Sequence, residues 1–336
     1  MTKIFLTTEI PEEKTAASKA RVDVLNILVA EGYQMLYLPQ KMSLGNILKF
    51  RKELNRLAKG GAHVVIEYPC WMKKRMYVVY TLCKLKGIKL YGIIHDVAAL
   101  RFQVSHKLDM ALFRLFDGLV SHNSSMTKWL RGKGYKKKIV DLNAFDYLLD
   151  NPRSFNEQSI NGQFKLFYAG NLAYNKATYI YDKKISNLDN VQLNVYGIEF
   201  DKARMNGSKV RYQGVFNPGS PDLPENYHFG LIWEGTSLDK CDGLFGDYIR
   251  YNNPHKFSLY LSLGLPIVVW KEAAIAKFIT ENKIGVTISN FQELEELPKK
   301  VTPETYKTYL DNIKTVSERV RSGYFLSTAL KTLTNS

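Results

Sequence analysis

Apolar positions along the chain follow two periods. Residues 3–7, 35–38, 64–67, 90–95 and 118–121 are short apolar runs of strand length. Between them, residues 19–31, 44–58, 75–86, 106–116 and 124–131 place apolar side chains at helical spacing. Val22, Leu25, Leu28 and Val29 share one face of the first helix, and Gly32 follows as a C-cap glycine. Residues 150–162 break the rhythm: they are polar, contain Pro152 and several Asn, and have no apolar period. The rhythm then restarts. Strands are predicted at 165–168, 192–196, 210–215, 230–233, 266–270 and 285–288, and helices at 176–184, 254–263 and 273–281. A turn-rich loop spans 217–226, and 303–334 is mostly helical. Alternation of this kind predicts an α/β chain with parallel sheets covered by helices. The expected organisation is two Rossmann-like domains facing across a cleft, 1–150 and 163–315, joined by a linker at 151–162. A C-terminal helix, 316–336, is expected to pack back on the first domain. In open α/β sheets ligands bind beyond the carboxyl ends of strands, so the residues just after each strand matter most.

Composition narrows the class. The chain is 45% hydrophobic and 24% charged, which fits a globular protein and excludes disorder. Lys and Arg number 47 against 32 Asp and Glu, a net charge of +15 that predicts anionic partners. No aromatic–basic stripe or reader motif supports nucleic acid. Lys136-Lys137-Lys138 is either solvated surface or a point of attraction to anionic lipid headgroups. Cys70, Cys83 and Cys241 form neither a disulfide framework nor a zinc spacing and suit a reducing cytoplasm. The N-terminus is too short and polar for a signal peptide, and no run approaches the roughly 18 apolar residues of a membrane span.

Several strand ends carry candidate chemistry. Ala169-Gly170-Asn171 closes one strand at a glycine that lets a ligand approach the backbone, and Lys176 follows within reach of an anion held there. The full dinucleotide fingerprint is missing, so a nicotinamide cofactor is not supported. Tyr196, at the next strand end, either stacks on a base or packs. Asn253-Pro254 predicts a helix start, with Asn253 as N-cap and Pro254 at the first helical position. Helix N-termini favour anions, and His255, Lys256 and Ser258 add donors there, so this is a predicted diphosphate cradle. Residues 235–250 form a long polar loop, expected to serve as a lid or acceptor loop. In the first half, His95-Asp96 ends an apolar strand, and either side chain could take a proton from a hydroxyl. Arg101 could meet phosphate or hold Asp96. His122 ends the following strand and reads as structural. No metal-ligand spacing or carboxylate pair is present, so no metal or other cofactor is expected.

The ordered strand-end motifs resemble those of bacterial β-galactofuranosyltransferases of the two-domain GT-B type. The matching pieces are Lys19-Ala20-Arg21 with Asp23, His95-Asp96 with Leu100-Arg101, Ser121-His122-Asn123 with Met126, and Phe145-Asp146-Tyr147-Leu148. They continue with Ala169-Gly170-Asn171-Leu172, Gly230-Leu231-Ile232-Trp233, Gly246-Asp247-Tyr248, and Asn252-Asn253-Pro254-His255-Lys256 with Ser258-Leu259-Tyr260-Leu261. Arg321 with Gly323-Tyr324-Phe325 closes the set. More distantly, the chain is similar to UDP-glucose-dependent enzymes that extend N-acetylglucosamine on serine-rich adhesins. One departure is Pro11-Glu12-Glu13-Lys14, in a loop that is often glycine-rich in relatives. The resemblance implies inverting hexosyl transfer from a UDP-sugar to a glycan acceptor in cell-surface polysaccharide assembly. UDP would be held by Gly170, Asn171, Lys176, Tyr196, Asn253, His255, Lys256 and Ser258. The acceptor would lie near Lys19, Arg21 and Arg101, with His95 or Asp96 as base. It further implies a cytoplasmic homo-oligomer, peripheral at the inner face of the membrane. A non-catalytic nucleotide-binding accessory subunit is the rival class; the lysine-bearing helix start speaks against it.

Overall fold

The computed structural model describes residues 1–8, 16–39, 41, 43–69, 73–149, 163–205, 207–221, 223 and 226–335. Cys70, the Pro11-Glu12-Glu13-Lys14 departure and the predicted linker 151–162 lie outside the described residues. The chain divides into two compact units. One comprises Met1–Glu13, Ala20–Leu142 and Tyr324–Ser336; the other comprises Lys14–Lys19 and Asn143–Gly323. In this division the main segment of the first unit ends at Leu142, just after a strand that the sequence pattern did not reveal, Lys138–Asp141, which completes the first sheet.

The first unit contains β1 (Thr2–Thr7), α1 (Ala16–Ala30) from Ala20 on, β2 (Gln34–Tyr37), α2 (Leu44–Leu57), β3 (Ala62–Tyr68) and α3 (Lys73–Lys84). It continues with β4 (Lys89–Ile94), α4 (Ala98–Arg101), α5 (Lys107–Phe113), β5 (Gly118–Ser121), α6 (Ser124–Gly132) and β6 (Lys138–Asp141). All strand pairs are parallel, in the order β2-β1-β3-β4-β5-β6. The inner strands are buried on both faces: Val64, Val65 and Ile66 of β3 and Leu90, Ile93 and Ile94 of β4 form near-continuous apolar runs. The C-terminal helix, Tyr324–Thr334, belongs to this unit. Leu333 fills the space that a side chain at Gly118 would need, and Lys331 pairs with Glu31 at 3.0 Å.

The second unit contains β7 (Phe164–Ala169), β8 (Val191–Tyr196), β9 (Arg211–Tyr212), β10 (Phe229–Ile232), α7 (Gly243–Tyr248) and α8 (His255–Ser262). It continues with β11 (Ile267–Trp270), α9 (Ala276–Glu281), β12 (Gly285–Ile288), α10 (Leu297–Lys300) and α11 (Pro303–Arg321). Its six strands are also parallel, in the order β12-β11-β10-β7-β8-β9. Two expectations change here. Residues 176–184 are not an α-helix but short 3-10 turns at Thr178–Tyr181 and Lys183–Asn187. Tyr179, Ile180 and Tyr181 are all buried in succession, which suits the tighter winding better than one apolar stripe. The strand expected at 210–215 shrinks to Arg211–Tyr212. Among the described residues no helix is long and apolar enough to cross a membrane.

Candidate active site

In the second unit, the carboxyl ends of β7, β8 and β10 meet the start of α8. The α8 helix is fixed by Tyr260, whose hydroxyl accepts from Ala169 N (3.0 Å) and donates to Leu231 O (3.1 Å). Gly230 makes this possible, since a Cβ there would stand 2.3 Å from the Tyr260 ring. The helix start differs in register from the expectation. Pro254 occupies the N-cap position and His255 is the first helical residue. Asn253 donates from Nδ2 to Asn143 O at 2.9 Å.

Lys256 is the centre of this cluster. Its Nζ lies 2.6 Å from Glu234 Oε1, where β10 ends, and 3.7 Å from the centroid of the Tyr168 ring. Burial lowers the Lys256 pKa from its ordinary value, and the Glu234 carboxylate opposes that shift. Burial also raises the pKa of the Tyr168 phenol. A Cβ on Gly170 would come within 3.2 Å of Lys256 Nζ, so the glycine lets the strand-end backbone lie close to the lysine head. Gly170 in turn packs on Gly197, where a Cβ would overlap Gly170 O at 1.6 Å; with φ +150° only glycine serves there. Ser258 Oγ and Asn252 Oδ1 are buried beside the helix start, with no hydrogen-bond partner among the described residues. Unsatisfied buried polar atoms are uncommon and call for an explanation, of which a ligand is one.

The remaining donor-side candidates are placed as follows. Asn171 Oδ1 accepts from Ala173 N (2.8 Å) while its Nδ2 donates to Glu199 (2.8 Å). Lys176 O accepts from Gly235 N, tying the two loops, and its ammonium lies 5.3 Å from the Phe245 ring. Tyr196 packs: it is buried among Phe167, Phe216 and Tyr227, with its hydroxyl 2.6 Å from that of Tyr227. The His255 ring lies 5.0 Å from that of Tyr147. Residues 235–250 are not an open loop, since they contain α7 and fold back through Thr236 and Asp242 (2.8 Å) onto the end of β10.

In the first unit the predicted acceptor residues separate. Arg21 and His95 converge on Glu67, at the end of β3: Arg21 Nε is 3.4 Å from Oε2, and His95 Nε2 is 2.9 Å from Oε1. Glu67 is buried, and sequence reasoning passed over it as an ordinary strand residue. Behind this chain His122 is buried and bonded to the backbone of Ile94 and His95. Burial, with a smaller contribution from His95, holds its pKa down at about 3. Asp96 is held by Arg101. Lys19 belongs to the second unit, donating to Leu148 O at 2.7 Å with its ammonium over the Tyr147 ring. Among the described residues no group of His, Cys, Asp or Glu is arranged to hold a metal ion.

Two parallel six-stranded units of this kind give the chain the GT-B fold. Solved structures of this fold include the lipopolysaccharide outer core galactosyltransferase WaaB in apo form. Its TM-score is 0.59 over 99% of both chains at 11% identity. The pneumococcal O-GlcNAc transferase GtfA, in complex with UDP and GlcNAc, gives a TM-score of 0.53 at 14% identity, covering 86% of this chain and 59% of that one. The chain belongs to the glucosyltransferase 3-like family: residues 3–144 match its N-terminal domain and residues 166–333 its C-terminal domain. It is 35% identical to the beta-1,6-galactofuranosyltransferase WbbI of Escherichia coli (strain K12) over 251 residues, which is 74% of this chain and 72% of that protein. It is 24% identical to glucosyltransferase 3 of Streptococcus gordonii over 278 residues, 79% of this chain and 77% of the relative. The protein is therefore a hexosyltransferase.

Proposed function

We propose that the protein transfers galactofuranose from UDP-galactofuranose to an acceptor sugar, with inversion and without a metal ion, during assembly of a cell-surface glycan. The observation that carries the reading is the buried Lys256 ammonium at the start of α8, beside Gly170 and the unpartnered Ser258 hydroxyl. A diphosphate reaching this point would find a cation, a helix N-terminus and a hydroxyl, the means by which a leaving phosphate is stabilised. Lys256 would exchange Glu234 for phosphate oxygens. Asn171, Lys176 and His255 line the approach in this reading; Asn253 supports the helix start, and Tyr196 supports the strand end by packing. Acceptor activation is assigned to His95, held by Glu67 and Arg21, or to Asp96, held by Arg101. The galactofuranose donor is favoured by the 35% identity to WbbI. A second reading, glucose transfer from UDP-glucose to N-acetylglucosamine on a serine-rich adhesin, is favoured by the family models and the streptococcal relatives. Both place a homo-oligomeric enzyme in the cytoplasm, peripheral at the inner face of the membrane.

Incubation of the full chain with UDP-galactofuranose or UDP-glucose and simple sugar acceptors, with and without EDTA, tests the proposal. Turnover of the galactofuranose donor that survives EDTA is the expected result. Turnover of UDP-glucose alone would select the second reading, and activity lost in EDTA but restored by Mn²⁺ would overturn the metal-free mechanism.

A further inference from the structure

The positive charge is concentrated on one part of the molecule. The unit comprising Met1–Glu13, Ala20–Leu142 and Tyr324–Ser336 holds 24 Lys and Arg against 11 Asp and Glu, a net +13, whereas the other unit holds 23 against 21, a net +2. Within the first unit the topology concentrates it again. The step from β1 to β2 runs one way across the sheet and every later step runs the other way. Right-handed connections therefore put α1 on one face and α2, α3, α5 and α6 on the opposite face. The C-terminal helix joins α1 on the first face, through Lys331 and Glu31. That face is balanced: residues 20–31 and 324–334 carry Arg21 and Lys331 against Asp23 and Glu31. The α2 face is not. Residues 41–59 hold six Lys and Arg against Glu53 alone; in residues 76–89 Lys84 is paired with Asp117 at 2.7 Å, and of the six basic residues in 123–138 Lys138 reaches Thr332 O on the C-terminal helix, so the charge left on this face is carried mainly by α2 and α6.

The charged face also exposes large apolar side chains. On α2, Phe50, Leu54 and Leu57 are buried, while Leu44 and Leu48 stand one turn apart on the outer side at 74% and 52% exposure. Leu85, just beyond α3, is 75% exposed between Lys84 and Lys86. Nucleic acid would use the charge but not these leucines. A bilayer uses both: the ammonium groups meet anionic headgroups, and the leucines enter the boundary with the acyl chains.

We infer that the α2 face of the first unit, centred on Leu44, Leu48, Lys49 and Lys52, docks the enzyme on an anionic lipid surface. This deepens the placement at the inner membrane face proposed above and is independent of which donor sugar is used. The test is flotation of the full chain with vesicles of phosphatidylcholine, alone or with a third phosphatidylglycerol, alongside transfer to a soluble acceptor. Binding only to the anionic vesicles is expected. Lys49→Gln/Lys52→Gln/Lys59→Gln should weaken it by roughly a hundredfold, three charges at about 1 kcal/mol each. Leu44→Ser/Leu48→Ser should weaken it at unchanged salt dependence, and both variants should transfer sugar to the soluble acceptor as wild type does. Loss of that transfer in the wild type would count against the catalytic reading and not against docking. Equal binding to both vesicle types, wild-type binding by both variants, or binding of an oligonucleotide with no binding of vesicles would overturn the inference.

Discussion

Lys256 is costly to keep charged where it stands. Its side chain is 9% exposed, and Glu234 is the carboxylate that balances it. Such a pair contributes little net stability, yet it holds a cation ready in a low-dielectric setting for a stronger anion. Lys256→Ala should therefore weaken UDP binding by about 1.5–3 kcal/mol, the range for a charge-assisted hydrogen bond. Unchanged affinity by calorimetry would remove Lys256 from the donor site. The pH dependence has a definite sign. Only the protonated lysine binds phosphate, and burial lowers its pKa, so affinity should decline on the alkaline side before the ordinary lysine range near 10.4 is reached. At the other site Glu67 orients the His95 ring. His95→Gln should cut turnover by about 10²–10⁴-fold at unchanged UDP affinity if His95 is the base. Glu67→Gln should lower turnover in the same direction, and near-normal rates in both variants would leave Asp96 to be examined. Lys256 was legible in the sequence because proline followed by basic residues marks a helix start. Glu67 was not: it ends an apolar run at Tyr68-Pro69, and its partners Arg21 and His95 lie 46 and 28 residues away.

At the scale of elements, the donor site is as good as the seating of α8 on β7 and β10. Gly230 and Tyr260 interlock there, and no local pattern announces a contact between residues 30 apart. Gly230→Ala would push the Tyr260 ring from its place. It should destabilise the protein by about 1–3 kcal/mol, as overpacking of a filled core does, and weaken UDP binding with it. Adding Tyr260→Leu should recover part of the loss, since two residues in contact do not add. Additive costs in chemical unfolding would show that the glycine matters for another reason. The strand–helix alternation was readable because buried parallel strands give continuous apolar runs. The failures have local causes: β6 hides its two apolar residues, Ile139 and Val140, behind a lysine run, and residues 178–181 bury too many successive side chains for an amphipathic stripe.

At the scale of the whole molecule, each unit buries a neutral histidine that the proposed chemistry does not use. In the first, His122 has its pKa held down at about 3, by burial above all. In the second, burial and then the nearby Lys165 charge hold His228 down at about 4, and its Nδ1 accepts a hydrogen bond from Lys165 N at 2.9 Å. Unfolded, both imidazoles would titrate near 6.5. Above that pH neither state is protonated, and the histidines add no pH dependence. As pH falls from about 6.5 toward 4, the unfolded chain takes up protons that the folded units refuse, so stability is lost by about 1.4 kcal/mol per pH unit for each proton. Stability to denaturant should thus decline steeply below pH 6.5, before the exposed carboxylates begin to titrate. His228→Gln keeps an acceptor for Lys165 N while removing the titration, and should flatten the decline contributed by the second unit. His122→Asn should do the same for the first, at some cost in packing at neutral pH. Denaturation followed by circular dichroism at several pH values reads both slopes, and a decline that stays equally steep in the two variants would mean that other groups govern the acid limb.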